Sequence, residues 1–400
     1  MTSIDIETGL SDEDRAVQDT THKFAEEVLR PAGVELDRMA DPADVIAPGS
    51  VLWDVFAKYR ELGIGALMDD AEMDPVAKAR LMCLVNEELA WGDAGLAITL
   101  GLSHFHGPWV QQSGDQELIA RFCSPDKPTI GCWALTEPDH GSDTVTFTET
   151  HFSDPSLKAN CTARKQGDQF VIRGQKAAWV SNGSIADIAV LFCTLEQDQG
   201  FKGGGVFLVP LDLPGVSRPK PLDKMGQRSL NQGEIYFDEV RIPESYMALG
   251  PEFYAIGLEV LLCHANTAMG QLFVGVARAA YEHALAYAKD RVQGGVPIFE
   301  HQSVKSRLFK MFAKVEAARA LTRRVAAFNA GGAPQIQYCI AAKTLCTDTA
   351  FEVASDAVQI FGGNGLSREY PIEKLLRDAR ASLIEDGCNE VLGIMGAARL

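Results

Sequence analysis

The sequence predicts an α+β chain in three parts: an N-terminal all-α domain, a central β-barrel or sandwich domain, and a C-terminal four-helix bundle. Three observations predict it. Apolar residues recur at helical spacing as far as about residue 125. The texture then changes to short, glycine-bounded runs rich in β-branched and aromatic residues. After Pro243 the helical period returns. The expected boundaries are 1–128, 129–245 and 246–400, since 400 residues exceed what one core usually organises.

Taken in order, Ser11 followed by Glu13 and Asp14 starts the first helix. "VLWDVFAKYRELGIGAL" and "ARLMCLVNEELAWGDAGLAITLGL" continue the helical pattern. In the middle part "GDQFVIRGQKAAWVSNG", "IADIAVLFCTL", "GGGVFLVPLDLPGV" and "GEIYFDEVRIP" read as strands. In the last of these, Ile235 and Phe237 alternate with Glu234, Tyr236 and Asp238, the period of a half-buried strand. Further on, Phe273, Val276, Ala280, Ala284 and Tyr287 line one helix face.

Hydrophobic residues at 46% and charged residues at 23% fit a soluble globular protein. The net charge of −17 argues against nucleic acid and anionic membrane surfaces as partners. Nine cysteines without CxxC spacing read as reduced thiols in a cytoplasmic protein, with no metal site. The acidic start lacks the pattern of a signal peptide, and no apolar run approaches membrane-spanning length.

Several segments carry polar chemistry. "CWALTEPDHGSD" offers hydroxyls and turn amides to a polar ligand edge. "KAAWVSNG" places Trp179 and Ser181 two apart on a strand face, which suits a flat heteroaromatic ring. "QIFGGNGLSREYPIEKLLRDAR" has a glycine turn whose amides can approach a phosphate. It lacks GxGxxG after a strand, so a Rossmann nicotinamide site is not supported. Arg291 and Gln302 bracket "RVQGGVPIFEHQ", where the arginine could pair with a phosphate. Singly, each segment also fits a structured loop, a core tryptophan or a surface ion pair.

Together, in this order, they make the chain resemble the acyl-CoA dehydrogenase family of flavoproteins over nearly its full length. "ALTEPDHGSD", "KAAWVSNG", "DKMGQRS" with "IYFDEVRIP", "DRVQGGVPIFEHQ" and "QIFGGNGLSREYPIEKLLRDAR" carry the resemblance. It implies FAD as cofactor, an acyl-CoA substrate, an electron-transferring flavoprotein as acceptor and a homotetramer or homodimer. By position it assigns Trp133, Leu135, Thr136, Trp179 and Ser181 to the flavin ring, and Ser142 to cofactor and CoA substrate together. Arg291 and Gln302 would hold the FAD of a neighbouring subunit, and Gln359, Gly362 and Gly363 would contact it across the interface. Cys388 and Glu390 fall at cofactor contacts just after the base. Gly101, Phe105, Asn266 and Gly387 fall at substrate positions, with His104 and His106 beside Phe105.

The implied reaction is α,β-dehydrogenation: a carboxylate takes the α-proton while the β-hydrogen passes as hydride to flavin N5. In "SLIEDGCNEV" the carboxylate before Gly387 is Asp386, eight residues after Asp378. The family normally has glutamate there, preceded by an aromatic, so Asp386 takes the base position and Glu385 the aromatic one. Glu385 and Glu390 remain alternatives, as does a site that has lost its base. Aspartate is shorter by one methylene, about 1.3 Å of reach, and misplacement of that order can cost about a hundredfold in rate.

Cys263 stands where the family usually has aspartate, Asn266 where it has arginine, and Gly294 where it has phenylalanine. The first two departures weaken the inference to an ordinary straight-chain substrate, and the helix "AITLGLSHFHGPW", with Gly101, His104, Phe105 and His106, reads as a polar pocket floor suited to a short, cyclic or polar acyl group. The departures also keep open a nitroalkane oxidase-like or desulfinase-like branch, or a non-catalytic flavoprotein. Asp93 could be a second acid or base, and is otherwise expected as a solvated helix-end charge.

Overall fold

The computed structural model describes residues 6–69 and 72–400. Among the described residues, nine α-helices precede the sheet: α1 (Asp12–Phe24), α2 (Arg30–Arg38), α3 (Pro42–Val45), α4 (Val51–Glu61), α5 (Ile64–Asp69), α6 (Pro75–Gly92), α7 (Ala94–Ser103), α8 (His106–Ser113) and α9 (Gln116–Phe122). The start at Ser11 is a capping box. The Ser11 hydroxyl accepts from the Asp14 N–H at 3.0 Å, and the Asp14 carboxylate accepts from the Ser11 N–H at 2.9 Å.

The middle part is one eight-stranded sheet. Its strands are β1 (Gly131–Ala134), β2 (Thr162–Gln166), β3 (Gln169–Ser181), β4 (Ile188–Thr194), β5 (Gly204–Pro210), β6 (Val216–Ser217), β7 (Gln232–Pro243) and β8 (Met247–Leu249). The order is β6-β7-β3-β2-β4-β5-β8, with β1 parallel to β4. Ile235 and Phe237 point into the core, whereas Tyr236 between them is exposed. The boundary expected at 245 falls short by four residues, because Met247–Leu249 adds an edge strand to β5.

A two-stranded hairpin, β9 (Val292–Gln293) and β10 (Val296–Pro297), interrupts the C-terminal helices. These are α10 (Pro251–Asp290), α11 (Gln302–Ala330), α12 (Ile336–Phe361), α13 (Ile372–Ser382) and α14 (Asn389–Ala397). By length and apolar composition α10 is, among the described residues, long enough to cross a membrane, contrary to the expectation that no run is. Most of that stretch is buried against α6, α11 and α12, as expected of a central bundle helix.

Close approach of α10 to α6 depends on Gly275. A Cβ there would lie 2.1 Å from the Glu87 carbonyl oxygen and 2.8 Å from the Trp91 nitrogen, both backbone. Gly275→Ala must push the helices apart and should cost about 1–3 kcal/mol, read by chemical denaturation. An unchanged midpoint would mean that the two helices are not held at this spacing.

Candidate active site

The loop after β1 is fixed from below by a buried ion pair. Lys176 on β3 donates to the Glu137 carboxylate at 2.6 Å and to the Leu135 carbonyl at 2.8 Å. Glu137 also accepts from the N–H groups of Asn160 and Cys161, so its lone pairs are satisfied in the interior. The Ala177 N–H donates to the Thr136 carbonyl at 3.0 Å. Leu135 and Thr136 are therefore clamped to β3 where that strand bulges. Its register against β7 shifts between Lys176 and Val180, and Ala178 has φ 57°. Bulges of this kind re-aim side chains. Here Trp179 stands 56% exposed, which excludes a core role.

Ser181, next but one, accepts from the Gln232 amide at 3.0 Å. Trp133 packs on Phe105 at 5.8 Å, and its buried indole N–H has no acceptor among the described residues.

The base segment is the tight connection from α13 to α14. Asp386 and Gly387 both adopt left-handed backbone, φ 52° and 91°. Aspartate is among the few side chains that tolerate this region. Glycine is required at 387, because a Cβ would sit 2.8 Å from Leu392. The loop is anchored on two sides. The Cys388 N–H donates to the Ser142 hydroxyl at 3.0 Å. Lys343, buried on α12, donates to the Gly387 carbonyl at 2.9 Å and to the Asn389 side chain at 2.7 Å.

The adjacent carboxylates are treated differently. Glu385 accepts from the Gln227 amide at 2.8 Å. Among the described residues nothing donates to the Asp386 carboxylate, and neither its N–H nor that of Gly387 finds an acceptor. Burial pushes the Asp386 carboxyl up, and the Lys343 ammonium opposes this. Burial also pushes Glu385 up, to about 7. The Gln227 hydrogen bond and Lys224 oppose the rise, and the neighbouring Asp386 charge adds to it. Lys343 and Lys224 are each lowered by burial to about 8, with Asp386 and Glu385 respectively holding them up. The loop thus holds two carboxylates that burial raises and neighbouring lysines oppose, Lys343 at Asp386 and both Lys224 and Lys343 at Glu385. Glu390 is exposed in the first turn of α14.

Other expected residues are dispersed in this subunit. Arg291 and Gln302 are exposed on the β9–β10 side, and Arg291 has no ion-pair partner among the described residues. Gln359, Gly362 and Gly363 are exposed at the end of α12. Gly362 has φ 61°, and a Cβ on it or on Gly363 would meet nothing within 4 Å. The turn is braced by Asn364, which donates to the hydroxyls of Tyr287 and Tyr370. Gly294 has φ 69° in the β9–β10 turn.

Three readings are corrected. "AITLGLSHFHGPW", expected as one helix, is broken after Ser103, so Phe105 sits at a junction and Gly101 opens outward from α7. Asn266 is fully buried: its amide donates back to the Leu262 carbonyl at 3.0 Å, and its oxygen has no donor among the described residues. One turn earlier, Cys263 is hydrogen-bonded to Cys339 on α12. Asp93 is not solvated. It caps α7, accepts from the Ser229 hydroxyl at 2.6 Å and pairs with Lys374 at 2.6 Å.

His106 is likewise buried, with its Nε2 against the Phe122 carbonyl at 2.9 Å. Sequence reasoning missed Lys343, Gln227 and Lys224. The last two lie inside "DKMGQRS", whose proximity to the base loop is a matter of tertiary folding.

Comparisons with known proteins agree with this architecture. The acyl-CoA dehydrogenase N-terminal, middle and C-terminal domains match residues 11–125, 132–240 and 262–400. The chain is 30% identical to the short-chain specific acyl-CoA dehydrogenase of Rattus norvegicus mitochondria, over 96% of this chain and 89% of that protein. It is 28% identical to cyclohexane-1-carbonyl-CoA dehydrogenase of Geobacter metallireducens, over 95% of each. The butyryl-CoA dehydrogenase structure from Megasphaera elsdenii superposes with a TM-score of 0.83 at 29% identity, covering 98% of this chain and 99% of the other. The chain belongs to the acyl-CoA dehydrogenase family and is an FAD-dependent oxidoreductase of acyl-CoA thioesters.

Proposed function

We propose that Asp386 is the base that removes the α-proton of a short, cyclic or polar acyl-CoA, giving the 2-enoyl thioester. The observation that carries this is the contrast between the two carboxylates. Glu385 is occupied by the Gln227 amide, whereas Asp386 has both its carboxylate and its backbone N–H unpartnered among the described residues. An acyl α-proton is weakly acidic, and burial, by raising the Asp386 carboxyl, makes it a stronger proton acceptor than an ordinary carboxylate. The Asp386 N–H is the donor available to polarise the thioester carbonyl, and a donor fixed by backbone geometry needs no reorganisation during the reaction. The Ser142 hydroxyl, by accepting from the Cys388 N–H, ties the base loop to the segment that would face both cofactor and CoA.

The residues present fit FAD. Exposed Trp179, the Trp133 indole N–H and Arg291, both without a partner among the described residues, and the open Gly362–Gly363 turn each offer a contact to such a group. Leu135, Thr136 and Ser181 would complete the ring contacts, with Gln302, Gln359, Cys388 and Glu390 as further contacts, some of them in a second subunit. Bound FAD supplies the acceptor for the β-hydrogen. Such divided contacts favour a homodimer or homotetramer. Seven buried cysteines, none in a disulfide among the described residues, favour a cytoplasmic protein, and the family favours an electron-transferring flavoprotein as acceptor.

Buried Asn266 offers the substrate no cation, in keeping with a non-standard acyl group. FAD-loaded protein, incubated with an artificial electron acceptor and a panel of straight-chain, alicyclic and polar acyl-CoA esters, should yield a thioester two hydrogens lighter by mass spectrometry. No such product from any thioester would contradict the reading.

A further inference from the structure

Glu385 is met by Lys224 and Gln227 on the loop before β7, by Lys343 on α12 and by Asp386, its neighbour in sequence. Lys224 in turn faces Asp378 on α13 and Arg228 on its own loop. The position of Glu385 is rigidly specified. The Gln227 amide that donates to Glu385 also donates to the Asp378 carbonyl, and the Gln227 backbone N–H donates to the Asp378 carboxylate at 2.5 Å. Asp378 in turn pairs with Lys374 at 2.6 Å. Lys224 is held by the Leu230 carbonyl and the Gln232 side chain, both at 2.8 Å. A carboxyl with no catalytic duty of its own is thus fixed next to the candidate base.

We propose that Glu385 is a positioning residue for proton abstraction: once ionised, its carboxylate, fixed by Gln227, holds negative charge beside Asp386 and makes Asp386 a stronger base. The proposal rests on Asp386 being the base. Like charges on adjacent side chains oppose each other's ionisation, and the effect is reciprocal. A base strengthened by its neighbour accepts a proton more readily in the transition state. The Gln227 amide holds the Glu385 carboxylate by a hydrogen bond at 2.8 Å.

The test is the pH profile of kcat/KM for wild type and Glu385→Gln with one turned-over thioester. The ratio of wild type to variant should rise about threefold or more as pH passes through the Glu385 ionisation near 7. A purely structural role would scale the whole profile by one constant, and a flat ratio overturns the proposal. Should Glu385→Gln fold poorly, Gln227→Leu removes the hydrogen bond to the ionised form and should move the rise to higher pH; an unmoved rise has the same overturning force.

A readout independent of turnover is thermal stability against pH. A carboxyl whose pKa is raised on folding binds more protons in the folded state. Its contribution is therefore full below the usual carboxylate range and lost as pH rises toward 7. Wild type should lose stability over that interval relative to Glu385→Gln, and superposed curves would contradict the ionisation. Absence of turnover with any thioester, with the stability difference intact, would sink the base assignment and this proposal with it. Turnover with a flat ratio sinks this proposal alone.

Discussion

Asp386→Asn should retain FAD and lose reduction by every acyl-CoA, with the rate falling by about 10²–10⁴-fold, the usual worth of a positioned proton acceptor. The variant is well suited to the question. Asparagine tolerates the left-handed backbone at φ 52° nearly as well as aspartate does. The loop anchors at Ser142 and Lys343 bond to Cys388, Gly387 and Asn389, not to the Asp386 side chain. Loss of the carboxylate should therefore remove chemistry without removing the fold. The check is anaerobic stopped-flow of FAD absorbance, with bound FAD quantified in parallel. Reduction at the wild-type rate would transfer the base role to Glu385.

Glu87→Ala should be the most damaging stability change, costing about 3–5 kcal/mol, because it strands buried cations. Glu87 on α6 accepts from Arg278 at 2.8 Å, from Arg319 at 2.9 Å and from Arg323 at 3.2 Å. Beside it, Glu88 takes Arg278 and His22. Burial raises the Glu87 carboxyl, but Arg319, Arg278 and Arg323 together outweigh it and hold the group far below the carboxylate range. With Glu87 gone, Arg278 keeps Glu88 and Arg319 keeps Glu316, but the three guanidiniums on α10 and α11 lose the buried carboxylate they share.

The exposed Lys165–Glu244 pair offers a control, since its removal should cost under about 1 kcal/mol. Denaturant titration of both variants checks the contrast. Equal losses would mean that the buried cluster is not holding α6 to the bundle.

The division into helices, sheet and helices was legible because periodicity is a local property. Ser11 with Asp14 and the Ile235–Phe237 alternation could be read without knowing any neighbour. Positions whose meaning lies in long-range pairing were not legible. Asp93 reads as a helix-end charge until Lys374, 281 residues away, is folded against it. Gln227 carries no signal of its own, because its partner Glu385 is 158 residues distant.

The expected helix breaks after Ser103, where His106 turns inward and sets its Nε2 against the Phe122 carbonyl, a contact with a later element that the apolar period does not show. The candidate base was found by position in a resemblance. Its preference over Glu385 came from the same position; what sequence does not show is the hydrogen bond that occupies Glu385.

The most direct measurement of the central claim is to mix the purified FAD-loaded protein, without oxygen, with acyl-CoA thioesters and with simple nitroalkanes, following the visible flavin band. Bleaching by one class of short, cyclic or polar thioester, and not by nitroalkanes, is the expected result and would define the acyl shape. Bleaching by nitroalkanes alone, or by nothing, would contradict it and place Asp386 in a different chemistry on the same fold.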